Sequence, residues 1–187
     1  MRTGRWTWSA FAAGAMALCA GAALAQPERE GLQIFNDISR QVTRYTQFTV
    51  FDSVDASIDN GAVVLSGWVT MPYKRTDIER RVARVDGVTS VRNDIQVLPV
   101  SQFDDQLRFR IARAIYGNSS FWNYAAMANP PIHIVVNRGH VTLTGTVNSH
   151  VERVLARSLA VGFGEFNVVN ELKTDAEVRD ALEKITD

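Results

Sequence analysis

Three histidines, His133, His140 and His150, are the side chains of this sequence best suited to proton transfer or metal binding near neutral pH. A zinc site wants such residues four apart on a helix, or in the company of cysteines. No two of them stand four apart, and the only cysteine, Cys19, lies far upstream. His133 and His140 alternate out of phase with the apolar residues of their segments, which sets both toward solvent, and His150 opens a helical stretch. Ser66 and Ser149 sit in no G-x-S-x-G elbow, and no glycine loop of the phosphate-binding kind is present. Asp104 and Asp105 read as the cap of a helix that begins near Gln106. The sequence therefore offers no catalytic group, no metal site and no cofactor motif, and reads as a non-enzymatic protein.

Two stretches carry the chemistry of binding instead. Lys74, Arg75, Arg80, Arg81 and Arg84 crowd one predicted helix, where they can meet anionic headgroups or simply form a solvated face with Asp77 and Glu79. A second stretch, between Tyr116 and Pro131, holds Phe121, Trp122, Tyr124 and Met127. Aromatic rings of this kind suit a bilayer interface or a protein partner, and equally a role in covering a sheet or filling a seam.

These stretches are positioned by a repeat. Asn60-Gly61-Ala62-Val63-Val64-Leu65-Ser66-Gly67-Trp68-Val69 aligns with Arg138-Gly139-His140-Val141-Thr142-Leu143-Thr144-Gly145-Thr146-Val147 at an offset of 78. A second block, Gly87…Val91-Arg92-Asn93-Asp94-Ile95, aligns with Gly164…Val168-Val169-Asn170-Glu171-Leu172 at 77. Ile34, Ile38, Val42 and Tyr45 recur at helical spacing, matched by Leu107, Ile111 and Ile115. Val54, Ala56 and Ile58 alternate before Asn60-Gly61, and Val63, Leu65 and Val69 follow it, which predicts a hairpin with one buried face. Ile132, Ile134 and Val136, then Val141, Leu143 and Val147, do the same in the second copy. A second helix follows each hairpin. One opens at Pro72 with Ile78, Val82 and Val85 inward, and the other at a Ser149-x-x-Glu152 capping box with Val151, Val154, Leu155 and Leu159 inward. A last strand closes each copy, through Val91 to Val97 and through Val168 to Leu172.

The fold class predicted is α+β, as two tandem modules, each ordered helix, strand, strand, helix, strand with a three-stranded sheet under two helices. The short link Leu98 to Gln102 predicts contact between the copies. Gly61 and Gly139 fall at tight turns, while Gly67 and Gly145 inside strands predict a bulge or a close approach by the second helix. The stretch before the second hairpin is about seven residues longer than its counterpart.

The blocks Gly61-x-Val63-x-Leu65-Ser66-Gly67-x-Val69 and Gly87-Val88-x-x-Val91-x-Asn93, with a helix between them, resemble the BON domain. The second copy departs from the pattern at Gly164-Glu165-Phe166, where the first has Gly87-Val88-Thr89. The resemblance covers residues 32 to 175 and implies attachment to phospholipid membranes or envelope partners, a part in envelope integrity under osmotic stress, and no reaction.

Arg2 and Arg5, the apolar run Trp6 to Gly21, and Ala23-Leu24-Ala25 predict a cleavable export signal over 1–25 and a periplasmic chain starting at Gln26. Leu18 before Cys19 is a poor lipobox residue, which argues against lipidation. The mature chain would hold 18 basic and 20 acidic residues, a formal charge of −2 that speaks against general nucleic-acid binding. The predicted divisions are 32–99, 104–175 and a short C-terminal helix or tail over 176–187. The partners predicted are an anionic phospholipid surface or, alternatively, an envelope protein bound without lipid.

Overall fold

Ile34, Ile38 and Val42 line the inward stripe of helix α1, Gly31–Thr43, and Tyr45 continues the same buried face just beyond its end. In this computed structural model the described residues are 31–186, with side chains described through 180. The export signal and its cleavage point lie outside the described residues, as do the side chains of Leu182 and Ile185.

Strands β1, Ser53–Asp59, and β2, Ala62–Val69, pair antiparallel with Asp59 opposite Ala62. Asn60 and Gly61 make the two-residue connection at φ of 48° and 80°, the doubly left-handed turn whose twist matches a hairpin. Pro72 opens α2, Pro72–Val82, where a missing amide proton costs nothing. Its Ile78 and Val82 reach the core from one side, as Val63, Leu65 and Val69 do from the sheet.

The chain then returns parallel to β2, but its last strand is in two pieces, β3 at Ser90–Asn93 and β4 at Gln96–Val97. Asn93 makes the break: its side-chain oxygen accepts the amide of Ile95 at 3.1 Å and its nitrogen donates to the carbonyl of Arg75 at 3.0 Å. One polar side chain thus kinks the strand and ties it to the covering helix.

The second module repeats this order. It comprises α3, Gln102–Tyr116; a 3₁₀ turn, Ser119–Phe121; a one-turn α4, Trp122–Ala125; β5, Ile132–Asn137; β6, His140–Val147; α5, His150–Leu159; β7, Asn167–Asn170; and β8, Lys173–Thr174. Asn170 takes the place of Asn93, donating to Arg153 O at 2.9 Å and accepting from Leu172 N at 3.3 Å. A terminal helix, α6, Asp175–Thr186, follows.

Four local expectations are corrected by contacts made elsewhere in the chain. Val151 and Val154 face solvent, and Ala156 and Ala160 take the inward stripe of α5. Glu152 is drawn inward by Tyr124 and by the amide of Asn148, at 2.7 and 2.9 Å, so residues four and eight further on turn in with it. Helix α3 is capped not by Asp104 or Asp105 but by Ser101, whose hydroxyl accepts from Asp104 N. Asp104 is buried and takes the amides of Arg138 and Gly139, both at 2.8 Å, so it closes the second hairpin turn. His133 looks into the contact between the modules, where the Phe48 ring lies 5.3 Å away, rather than into solvent. Gly67 and Gly145 are approached by the neighbouring strand, not by a helix: a Cβ there would stand 2.2 Å from Ser53 O and 1.9 Å from Pro131 O.

The modules share a seam built by the segment before β1. Val50 O accepts from Ile134 N at 2.7 Å, Phe51 packs on the second core with its ring against Phe109, and Ser53 Oγ meets Thr144 Oγ1 at 2.8 Å.

Candidate functional site

The aromatic stretch of the second module divides into two kinds of residue. Phe121 and Tyr124 are buried, their rings stacked 5.9 Å apart on the core. The Tyr124 hydroxyl donates to Glu152 and accepts from Asn148 N at 2.9 Å; burial, with Glu152 beside it, pushes its pKa up to about 12. Trp122, 64% exposed, and Met127 remain in solvent.

The basic helix divides in the same way. Lys74 is interior: its ammonium donates to Asp52 at 2.6 Å and to Thr70 Oγ1 at 2.7 Å. Its expected place on a headgroup-binding face is therefore corrected, because a charge so enclosed is committed to its partner. The structure sets Arg75 against the carbonyl of Asn93 at 3.0 Å. Arg81 lies over the Tyr45 ring at 4.6 Å. Gln41, Asp77, Arg80, Arg81 and Arg84 line a shallow groove of about 300 Å³ between α1 and α2. Of these arginines only Arg80 meets a carboxylate among the described residues, Asp77 at 3.4 Å.

Asp52 and Glu152 do the same work in the two copies. Each accepts a backbone amide at the junction from the hairpin to its covering helix, Thr70 N at 2.7 Å and Asn148 N at 2.9 Å. The first copy pairs its carboxylate with the Lys74 ammonium, and the second gives its carboxylate a hydrogen bond from the Tyr124 hydroxyl. The long segment before β5 thus supplies a structural ligand as well as exposed residues.

Three exposed rings were not singled out in the sequence. Phe103 and Phe109 project from α3, Phe109 at 65% exposure, and Phe166 stands 75% exposed at the start of β7. Arg110 and Arg113 are exposed on the same helix. The available signal was that both phenylalanines fall off the buried stripe of Leu107, Ile111 and Ile115. The glycines Gly61, Gly67, Gly87, Gly139, Gly145 and Gly164 all hold positive φ and shape turns or close strand contacts. Among the described residues no group of three or more His, Cys, Asp or Glu is placed to hold a metal. His140 bonds Asn167 at 2.6 Å and His150 lies 2.7 Å from Arg153.

The BON domain model matches the chain twice, over residues 37–99 and over 104–183. This chain belongs to the BON domain family. It is a tandem two-domain BON protein, and its α+β modules are the two matched units. BON domains are non-catalytic binding domains for membranes or proteins, and proteins that carry them are typically periplasmic or envelope associated. No helix among the described residues is long and apolar enough to cross a membrane. Two similar solved structures are of CdsD, a structural protein of the type III secretion system of Chlamydia trachomatis. The first is 14% identical over 81% of this chain and 97% of that chain, with a TM-score of 0.29. The second, the C-terminal domain of CdsD, is 16% identical over 80% of this chain and 68% of that chain, with a TM-score of 0.33. No curated protein matches the chain.

Proposed function

We propose that this BON protein is exported to the periplasm and docks on anionic phospholipid through its second module, supporting envelope integrity under osmotic stress. The observation that carries the reading is α3, which leaves Phe103 and Phe109 in solvent beside Arg110 and Arg113. Rings that enter the headgroup boundary and arginines that meet anionic lipid are the two contributions an interfacial helix uses. Trp122 and Met127 extend the apolar contact, and Arg75, Arg80, Arg81 and Arg84 offer a further basic surface on the first module.

Co-sedimentation of the protein, Gln26 to Asp187, with anionic and zwitterionic vesicles tests this. Binding is expected to anionic vesicles and to weaken with salt. Phe109→Ala is expected to weaken it about tenfold, since partial burial of one phenylalanine contributes about 1.5 kcal/mol. Failure of the unaltered protein to bind either vesicle at low salt overturns the proposal. A second reading, a lipid-independent protein contact, is favoured by a groove of about 720 Å³ on α5 lined by Val154, Val161, Arg153 and Arg157. Val154→Asp leaves vesicle binding unchanged if the lipid reading holds.

A further inference from the structure

Between α1, the outer edge of β1 and the second module lies a half-enclosed cleft of about 470 Å³. Its floor is apolar, with Ile38, Val42, Val54 and Leu65, and its mouth is polar, with Asp55, Thr146 and Lys173. This size and an interdomain position are those of ordinary ligand sites, about 300–1,000 Å³. The repeat indicates what kind of occupant fits.

In the second module the same helix-and-edge corner is filled. Ile134, opposite Leu143, turns its amide away from β6 and donates it to Val50 O at 2.7 Å. Phe51, the next residue, packs between that edge and α3, its ring 5.1 Å from Phe109. Ala56 stands opposite Leu65 in the equivalent register, so its amide also points away from the sheet, toward the cleft side. No backbone carbonyl among the described residues takes the place there that Val50 takes at Ile134. The first module therefore keeps open the corner that the second closes with an extended, aromatic-bearing segment.

We infer that the cleft binds an extended peptide segment of a partner protein, which adds to the free edge of β1 as Val50-Phe51 adds to β5. The segment gives a backbone carbonyl to Ala56 N and sets a large apolar side chain on the floor between Ile38 and Val54. An acidic residue just after that side chain meets Lys173, which makes no ion pair among the described residues. Edge addition supplies affinity through the main chain and specificity through one alternate side chain. This site is separate from the lipid surface of α3 and stands whether or not vesicles bind.

The probe is the blocked hexapeptide Gln-Phe-Thr-Val-Phe-Asp, this chain's own residues 47–52. It is titrated into the isotope-labelled protein and followed by amide NMR. Saturable shifts are expected at Ala56 and along α1 at Ser39. Ala56→Pro, which removes an outward amide that the β1–β2 ladder does not use, is expected to lower affinity at least tenfold. Ser39→Trp, which fills the mouth from an exposed helix position, is expected to do the same, and both variants are checked for an unchanged unfolding midpoint. Shifts centred on Ile134 would show displacement of the internal segment and overturn the inference. So would an absence of shifts at Ala56, or a cleft that saturates with decanoate while ignoring the peptide.

Discussion

Replacing Lys74 with Met tests whether a buried pair holds the first module together. The two side chains are 4% and 0% exposed and meet at 2.6 Å, so the substitution strands a carboxylate out of reach of water. Removing one member of such a pair costs about 3–5 kcal/mol. Asp52 keeps its bonds from the amides and hydroxyls of Thr49 and Thr70, at 2.7 to 2.9 Å, which sets the expected loss near the low end, about 3 kcal/mol. For a chain of this length that lowers the unfolding midpoint by about 6–12 °C, measured by calorimetry or circular dichroism. Asp52→Ala is expected to cost more, because it orphans those four donors together with a buried ammonium. Burial works to raise the Asp52 carboxyl, but the bonds from Lys74, Thr70 and Thr49 outweigh it and hold the pKa below its ordinary 3.8. A lowered pKa contributes stability that is present above pH 3.8 and lost as pH falls below it, so the difference between wild type and Lys74→Met should shrink on acidification. A loss under about 1 kcal/mol at neutral pH, the worth of a surface pair, would refute the assignment.

Gly145→Ala brings a Cβ to 1.9 Å from Pro131 O at a φ of 108°, and urea denaturation should show a loss of at least about 3 kcal/mol. Gly162→Ala has a φ of 99° with nothing within 4 Å, and should cost only the backbone penalty, about 1–2 kcal/mol. Burial lowers the pKa of His133 from 6.5, against the opposing pull of Thr49, Asp52 and Asp55. Its neutral form therefore stabilises the fold above pH 6.5, and that contribution is lost as pH falls. The unfolding midpoint should drop between pH 7.5 and 5.5, and His133→Gln should reduce the drop; an unchanged slope would refute it.

The hairpins are legible in the sequence because their information is local: Asn60-Gly61 fixes a turn, and the alternation around it fixes which side is buried. The helix stripe of Ile34, Ile38 and Val42 is legible for the same reason. The rotation of α5 is not, since it depends on Tyr124 reaching Glu152 across 28 positions. Asp104 has the composition of a helix cap, and only the fold brings the amides of Arg138 and Gly139 to it. Lys74 sits in a run of surface-type residues, and nothing local distinguishes it from Arg75; its burial follows from Asp52, 22 positions away. Within the binding candidates, spacing could sort Phe103 and Phe109 from the core of α3, but it could not divide Trp122 from Phe121 and Tyr124, whose one-turn helix is set by contacts with the second core.

The segment from Phe48 to Ser53 belongs by order to the first repeat, yet its Phe51 completes the core of the second, and its Asp52 anchors the first. Cutting the chain at the link between the repeats would leave one half with an uncovered loop between α1 and β1 and the other with an open corner. The two units share one pattern, but this loan of six residues makes them non-interchangeable. Recombination that swaps one half for a related domain would have to carry the lent segment with the recipient, not with the repeat in which it is encoded.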